Sequence, residues 1–204
     1  MTVTVTSIET GSPAGVVDIA LSDGSRFFVL AQLLEHTPIE TGDSIELDEV
    51  RAIWLKSERQ RVRAKFLDLL SRREYTGREL LLRARQRSFD GEVARGVIDE
   101  LAAEGLQDDG RFAAAWLHSR LRRHPEGRGN LLLGLKARGV GGEVAAEALA
   151  DLDREQPDWE EQALCAAFER ASRRSDDPSR ITKTLQRNGF AVSQILRFAL
   201  AKRA

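Results

Sequence analysis

The sequence predicts a mainly α-helical protein: three tandem three-helix repeats in an elongated array, preceded by a small N-terminal β-rich module. Two observations predict this fold class. Apolar residues recur at helical spacing from residue 48 onward, whereas the residues before it alternate as strands do. The helical part also repeats its own pattern at intervals close to 50 residues. A composition of 42% apolar and 31% charged residues fits such a folded, charge-rich chain.

The N-terminal module is expected to contain three or four short strands within residues 1–50. Its alternating segments are residues 2–8, 15–21, 26–30 and 45–47. Ser22-Asp-Gly-Ser25 lies between two of them and is typical of a hairpin turn. Nine acidic residues against one Arg give the module a local charge of −8. Because so few short strands are marginally stable alone, we expect the module to dock on the helix that follows.

A long helix is expected after the β module. Its apolar residues recur at helical spacing, with Arg and Lys on the outer face: Val50, Ile53, Trp54, Phe66, Leu67 and Leu70. The pattern leaves open an interruption near Ser57. We assign the linking helix with the first repeat to residues 51–106, the second repeat to 107–155 and the third to 156–204.

The three repeats share one register. Corresponding positions carry doubled arginines or apolar side chains: Arg72-Arg73, Arg122-Arg123 and Arg173-Arg174; Leu80, Leu131 and Ile181; Ala84, Leu135 and Leu185; Phe89, Val140 and Phe190. One repeat buries only a small core, and stacking supplies the remaining interface. Three units of helices of ~10–14 residues would reach roughly 50–60 Å, which suits a macromolecular partner better than a small molecule.

Capping residues predict where the helices begin and end. Expected N-terminal caps are Thr76 with Glu79, Asp90, Asp108 or Asp109, Asp158 with Glu161, and Asp177 before Pro178. The second helices of copies two and three are expected to stop at Gly139 and Gly189, which can take the left-handed conformation. Ser88 occupies that position in the first copy.

Basic residues are the only functional candidates in the sequence. The second helix is basic in every copy, and paired arginines end each first helix. Two interpretations stay open: pairing with acids on neighbouring third helices (Glu92, Asp99, Glu143, Glu147 and Asp151), or a basic stripe that faces nucleic acid or an acidic partner. The candidate partner- or DNA-binding residues are Arg72, Arg73, Arg78, Arg83, Arg85, Arg87, Arg122, Arg123, Arg128, Lys136, Arg138, Arg173, Arg174, Lys183 and Arg187.

No catalytic or metal site is expected. Cys165 lies among apolar residues and is interpreted as a helix-core cysteine, and a single Cys excludes an internal disulfide. His36, His118 and His124 lack carboxylate or cysteine partners at ligand spacing. The glycines at 139–142 follow a helix rather than a strand, so they do not form a phosphate loop. We therefore expect a protein that is not an enzyme and binds no cofactor.

Two segments carry motifs that together are specific. The first is Leu69-Leu-Ser-Arg-Arg-Glu-Tyr-Thr-Gly-Arg-Glu-Leu80; the second is Ile98-Asp-Glu-Leu-Ala-Ala-Glu-Gly-Leu-Gln-Asp-Asp-Gly-Arg-Phe-Ala113, followed by Trp116. The chain resembles the RecX family of bacterial recombination regulators over about residues 60–204, in the order and spacing of these motifs and in the triple repeat. Motif residues expected to hold the fold are Tyr75, Thr76, Glu79, Leu80, Asp109, Arg111, Phe112, Ala113 and Trp116. The chain departs from the family pattern at Gly77 and Gly110, where a charged residue is more common.

The resemblance implies a regulator that binds the RecA nucleoprotein filament, with DNA contacts inside that filament. Such a protein lowers RecA ATP hydrolysis, strand exchange and co-protease activity, and so acts in recombination, DNA repair and the SOS response. The resemblance implies no catalytic residues. We further expect a cytoplasmic protein, because a single cysteine fits a reducing compartment, and a monomer. We expect no membrane segment, since no apolar run approaches the roughly 20 residues that span a bilayer.

The alternative is a helical DNA-binding protein that acts without RecA. Residues 76–106 alone resemble the helix–turn–helix of a winged-helix regulator, although a wing would need strands after Leu106. A protein that simply coats DNA would depend on phosphate contacts and would show a steep response to salt.

Overall fold

The protein is described by a computed structural model over residues 2–11, 15–35 and 39–201. Within these residues it has four strands, all before residue 47, and ten helices. The predicted fold class, mainly α with a small N-terminal β-rich module, is confirmed. Internal contacts divide the chain into two compact units: Met1–Arg72 with Leu80–Glu104, and Arg73–Glu79 with Gly105–Ala204.

The N-terminal strands form one antiparallel sheet. They are β1 (Thr2–Thr10), β2 (Val16–Leu21), β3 (Arg26–Leu30) and β4 (Ser44–Glu46), in the order β3-β2-β1-β4. The predicted hairpin turn joins β2 to β3, where the Leu21 N–H donates to the Ser25 carbonyl over 2.9 Å. A single-turn helix, α1 (Ala31–Leu34), follows β3 and was not predicted.

A single long helix, α2 (Leu47–Leu70), follows the sheet without interruption. The break left open near Ser57 does not occur. Ser57 is fully buried, and its hydroxyl accepts a hydrogen bond from the Leu30 N–H over 2.8 Å, so it ties the end of β3 to α2. Val50 belongs to the apolar cluster of the sheet, and Trp54 packs against it. The β module therefore docks on this helix, as expected.

Eight further helices are described after α2. Their bounds are α3 (Gly77–Arg85), α4 (Gly91–Ala103), α5 (Asp109–Arg123), α6 (Arg128–Ala137), α7 (Gly142–Glu155), α8 (Trp159–Ser172), α9 (Pro178–Arg187) and α10 (Val192–Ala201). The second unit has two apolar clusters. One contains Leu131 and Leu149, and the other contains Leu164, Leu185 and Phe190.

Most of the predicted N-terminal caps are present. The Thr76 hydroxyl accepts from the Glu79 N–H over 3.0 Å, and the side chains of Asp90, Asp108 and Asp177 accept from N–H groups two or three residues further on. The capping box predicted at Asp158 is wrong. Asp158 has φ −96° and ψ 7° instead of the extended conformation of an N-cap, and its side chain makes no cap hydrogen bond.

The turn that ends the second helix has the same geometry in all three copies. Ser88, Gly139 and Gly189 have φ values of 57°, 92° and 89°. The N–H that follows each of them donates to a carbonyl five residues earlier: Phe89 to Ala84, Val140 to Leu135 and Phe190 to Leu185. This is the Schellman motif, and its apolar closing residue is the registered Phe, Val or Phe.

The same turn contacts the start of an earlier second helix. The Thr76 hydroxyl donates to the Arg138 carbonyl over 2.8 Å. At the corresponding position one repeat later, the Gly127 N–H donates to the Asn188 carbonyl over 2.9 Å, and the Asn130 side-chain amide donates to the Arg187 carbonyl over 2.9 Å. Within the second unit, the left-handed turns at Gly139 and Gly189 thus make the same joint with the starts of α3 and α6.

A buried carboxylate joins two elements of the first unit. Glu58 is 3% exposed; its carboxylate accepts from the Asp90 N–H and from the Arg61 guanidinium, each over 3.0 Å. We expect Glu58→Ala to lower the free energy of unfolding by about 2 kcal/mol, because it leaves the part-buried Asp90 N–H without an acceptor and empties a buried side-chain site. Glu58→Gln keeps an acceptor and should cost less.

Urea denaturation followed by circular dichroism measures this effect. Arg59→Ala is the matched control, since Arg59 is on the same helix as Glu58 and makes a more exposed ion pair, over 2.8 Å, with Glu100 of α4. Such exposed pairs contribute at most about 1 kcal/mol. Equal losses for Glu58→Ala and Arg59→Ala would contradict the prediction.

Candidate functional site

Four of the fifteen candidate basic residues are held within the chain by a carboxylate or by a backbone carbonyl; of the rest, Arg83 donates a hydrogen bond to the Gln86 side-chain oxygen over 3.0 Å. Arg72 pairs with Asp68 at 2.8 Å, and Arg73 pairs with Glu79 at 3.0 Å while lying over the Tyr75 ring. The other two are Arg128, which pairs with Asp153 at 2.6 Å, and Arg138, which donates to the Gly134 carbonyl over 2.9 Å.

The Arg128 pair belongs to a small polar cluster. Asp153 also accepts a hydrogen bond over 2.8 Å from the indole N–H of buried Trp159. Burial by itself would raise the pKa of Asp153, but the hydrogen bonds from Trp159 and Arg128 outweigh it and hold that pKa below its usual range. Arg128 therefore faces a carboxylate that stays ionised at neutral pH, which leaves this guanidinium less available to a partner.

The other eleven candidates make no ion pair with any residue that the structure describes. They are Arg78, Arg83, Arg85, Arg87, Arg122, Arg123, Lys136, Arg173, Arg174, Lys183 and Arg187. Pairing with third-helix acids does not account for them. Asp151 pairs with Arg154 of its own helix. Glu100 of α4 and Glu104, which caps the end of that helix, bind arginines of α2.

Three of these cations, Arg174, Lys183 and Arg187, line a cleft in the second unit, which we call the basic cleft. It lies between α8, α9 and the link at 124–126 and encloses about 950 Å³. The cations that line it are Arg170, Arg174, Arg180, Lys183 and Arg187, with His124 beside them. Its one acid, Glu126, already accepts two hydrogen bonds from Arg120, at 2.8 and 2.9 Å. The cleft therefore offers an excess of positive charge.

Two cations of the basic cleft were not among the sequence candidates. Arg170 is in the last turn of α8, four residues before Arg174, which follows the end of that helix. Arg180 is in the first turn of α9 and has a loose contact of 3.6 Å with Asp177. No local pattern singles out Arg180, because only the packing of α8 against α9 brings it to the cleft.

A second basic surface lies on α3. Arg78, Arg83 and Arg85 are exposed on this helix, and Arg87 is exposed just after it. Leu82 lies among them and is 54% exposed, and Leu133 holds the corresponding position on α6 and is 65% exposed. An exposed Leu within a basic surface suits a protein partner as much as a phosphate backbone.

The family-motif residues lie mostly in the core or in contacts between helices. Tyr75, Thr76, Leu80, Phe112 and Ala113 are buried. Others make polar contacts or pack on backbone: the Asp109 carboxylate accepts from the Gly77 N–H over 3.1 Å, Arg111 pairs with Glu74 at 2.9 Å, and Trp116 lies against Gly134.

The described residues contain no group of three or more His, Cys, Asp or Glu that could hold a metal ion. Two expectations about single residues need correction. His118 does have a carboxylate nearby, with its Nε2 atom 3.2 Å from Glu155, because α5 packs against α7. Cys165 is half-buried rather than a core residue, and its sulfur lies 3.9 Å from Glu169. His36 lies outside the described residues.

None of the described helices is long and apolar enough to cross a membrane.

Repeated three-helix units with a shared joint and exposed basic helices place the chain among the helical-repeat proteins. Residues 108–149 match the family model described as RecX, second three-helix domain. A regulatory protein RecX of Treponema pallidum (strain Nichols) is 36% identical over 130 residues, which are 63% of this chain and 77% of the relative. The one from Halorhodospira halophila is 36% identical over 146 residues, 69% of this chain and 87% of the relative.

Solved structures agree with these sequence relatives. A crystal structure titled regulatory protein RecX superposes with a TM-score of 0.69 at 20% identity, covering 97% of this chain and 98% of the other. RecX from Lactobacillus salivarius gives 0.59 at 18% identity over 70% of this chain and 97% of the other, and both show a shared fold. The chain belongs to the RecX family of regulatory proteins.

Proposed function

We propose that the protein is a non-enzymatic regulator that binds the RecA nucleoprotein filament. In this proposal it lowers RecA ATP hydrolysis, strand exchange and co-protease activity, and contacts single- or double-stranded DNA within the filament. The observation that carries the proposal is the set of eleven exposed or partly exposed basic candidates without ion pairs among the described residues. Its relatives bear the name regulatory protein RecX, which supports a regulatory role.

The proposal assigns different tasks to the two basic surfaces. The basic cleft, rich in Arg, suits phosphate groups, because guanidinium groups bind them through paired hydrogen bonds. The α3 surface, with Leu82 among its arginines, suits an acidic protein surface with an apolar spot. We further propose that the protein acts as a cytoplasmic monomer and that residues 51–106, 107–155 and 156–204 are its three repeats.

The test adds the purified protein to RecA assembled on single-stranded DNA. We expect ATP hydrolysis and strand exchange to fall at stoichiometric ratios. The triple variant Arg83→Glu, Arg85→Glu and Arg87→Glu should reduce filament pull-down by about tenfold or more, because each reversal replaces an attraction with a repulsion. Unchanged hydrolysis and strand exchange with the wild-type protein would refute the proposed function.

A matched control carries the same change of charge elsewhere. Arg51, Lys56 and Arg95 are exposed and make no ion pair with described residues, and none is a candidate contact. Their replacement by Glu should leave pull-down within about twofold, apart from a general effect of net charge that higher salt screens. If both triple variants bind the filament as well as the wild-type protein does, the surface that contacts RecA does not include Arg83, Arg85 and Arg87.

A DNA-coating protein that acts without RecA is the second candidate, and the basic cleft favours it. It predicts DNA binding without any effect on RecA beyond competition for the strand. A winged-helix regulator is not favoured, because residues 106–201, all of them described, form helices and links without a strand. The RecA assay separates these candidates, since a regulator of the filament acts at lower ratios to DNA than a competitor.

A further inference from the structure

In the second copy, the indole of Trp116 occupies the space between α5 and α6. Trp116 of α5 lies on the backbone of α6 at Gly134, so closely that a Cβ added there would stand 2.5 Å from its ring. Two guanidinium groups flank the ring: Arg138 at 4.8 Å and Arg120 at 5.9 Å from its centroid. This aromatic ring, held between a glycine and two arginines, is partly buried and packs against the apolar core of this copy.

The third copy leaves the corresponding space open. The doubled arginines set the register of the first helices and equate Trp116 with Ala167 and Arg120 with Ala171. The left-handed glycines set the register of the second helices and equate Gly134 with Thr184 and Arg138 with Asn188. All four of these third-copy residues line the basic cleft. By this register, four residues that line the cleft correspond to Trp116, to Gly134 and to the two arginines that flank the indole.

The chemistry of the cleft combines an apolar interior with a cationic rim. Ala167 and Ala171 are buried small side chains, and Ile181 lines the same space. Among the residues that the structure describes, Arg170, Arg174, Lys183 and Arg187 have no ion-pair partner, so their charge is available. A purine base is a fused bicyclic ring of about the size of an indole, and it stacks well on guanidinium planes.

An acidic peptide matches this site less well than a nucleotide strand does. Its carboxylates would pair with the rim, but Asp and Glu have no ring to fill the interior. A single-stranded nucleic acid supplies both parts, since an unpaired base can leave the backbone while the neighbouring phosphates stay at the rim.

We propose that the basic cleft takes up an unpaired base of single-stranded nucleic acid in the space that corresponds to the Trp116 indole, while the rim cations bind the adjoining phosphates. This inference rests on the proposed function, because the DNA of the filament supplies the strand. It goes beyond that function because it assigns base binding to the third repeat. The reason is that this repeat has no aromatic ring where the second repeat has Trp116.

The first experiment uses the wild-type protein and two labelled strands of roughly 15 nucleotides, a length that covers the binding site of a small domain. One strand carries adenine bases and the other is abasic, with the same number of phosphates. Fluorescence anisotropy should show about tenfold tighter binding to the strand with bases, since stacking of one base is worth that factor. Equal affinity for both strands would overturn the proposal, as would equally effective competition by polyglutamate of the same charge.

The second experiment fills the cleft. Ala167→Trp combined with Thr184→Gly reproduces the Trp116 and Gly134 pair of the second copy, so the added indole has a place to lie. The double variant should lose the preference for bases and keep its affinity for the abasic strand within about twofold. Ala146→Trp, at an exposed position of α7, is the control and should retain the preference. A double variant that still prefers bases would also overturn the proposal.

The outcome is separable from that of the proposed function. A wild-type protein that prefers bases but leaves RecA ATP hydrolysis unchanged would support the cleft and refute the filament regulator. A wild-type protein that inhibits RecA but binds both strands equally would support the filament regulator and refute base binding in the cleft.

Discussion

Replacing Arg174, Lys183 and Arg187 by Glu is expected to weaken binding to single-stranded DNA by at least about 100-fold at about 0.1 M salt. These three cations line one cleft and make no ion pair with described residues, so each is free to contact a phosphate. Each phosphate contact on a single strand contributes about 0.7 to the slope of log K against log salt. The loss of three contacts should therefore lower the slope by about 2.

Anisotropy titrations at several salt concentrations measure both quantities. The control is the charge-matched triple of Arg51, Lys56 and Arg95 changed to Glu, which alters net charge equally but leaves the basic cleft intact. We expect this control to keep the wild-type slope. If the two triples lose the same affinity and the same slope, the protein binds DNA through its net charge rather than through the cleft.

Gly189→Ala is expected to lower the free energy of unfolding of the second unit by at least about 3 kcal/mol. Gly189 has a φ of 89°, which strains any L-residue, and an added Cβ would stand 2.5 Å from the backbone nitrogen of Asn130. That nitrogen belongs to the backbone in the joint between the second and third copies. The clash with the added Cβ can therefore be removed only if the joint opens. Thermal or urea unfolding, followed by circular dichroism, measures the loss.

Substitutions of two other glycines separate backbone strain at positive φ from the steric clash in the joint. Gly24 has a φ of 85° with nothing within 4 Å of the added Cβ, so Gly24→Ala should cost only the backbone strain, about 1–2 kcal/mol. Gly96 lies within α4 with open space around it, and Gly96→Ala should stabilise the protein by up to about 1 kcal/mol. A Gly189→Ala variant no less stable than Gly24→Ala would show that the joint contributes nothing.

The sequence predicted those features that depend on neighbours along the chain. The hairpin at Ser22–Ser25, the caps at Thr76, Asp90 and Asp177, and the stops at Gly139 and Gly189 all follow from local conformational preference. The doubled arginines and spaced apolar residues gave the repeat register, and the motifs around Tyr75 and Trp116 indicated the family.

Three expectations from local pattern were wrong, and one alternative that was left open is decided. Asp158 has the composition of a cap but not its backbone conformation. The possible break near Ser57 does not occur, and the buried serine hydroxyl accepts from the Leu30 N–H at the end of β3. His118 acquires Glu155 as a neighbour through packing of α5 on α7. Cys165 lies among apolar residues in the sequence, yet packing leaves it half-buried.

By itself the sequence determined the fold class, the three-fold register and the positions of the basic residues, because periodicity and capping act over a few residues. Only the tertiary structure decided which cations are held by carboxylates, as Arg128 is by Asp153, and which are free. It also decided that the absence of an indole at Ala167 leaves a cleft, and that Arg170 and Arg180 line it. Those features depend on contacts between separate helices. The effect of one side chain's size or charge there is set by the residue that the fold places next to it.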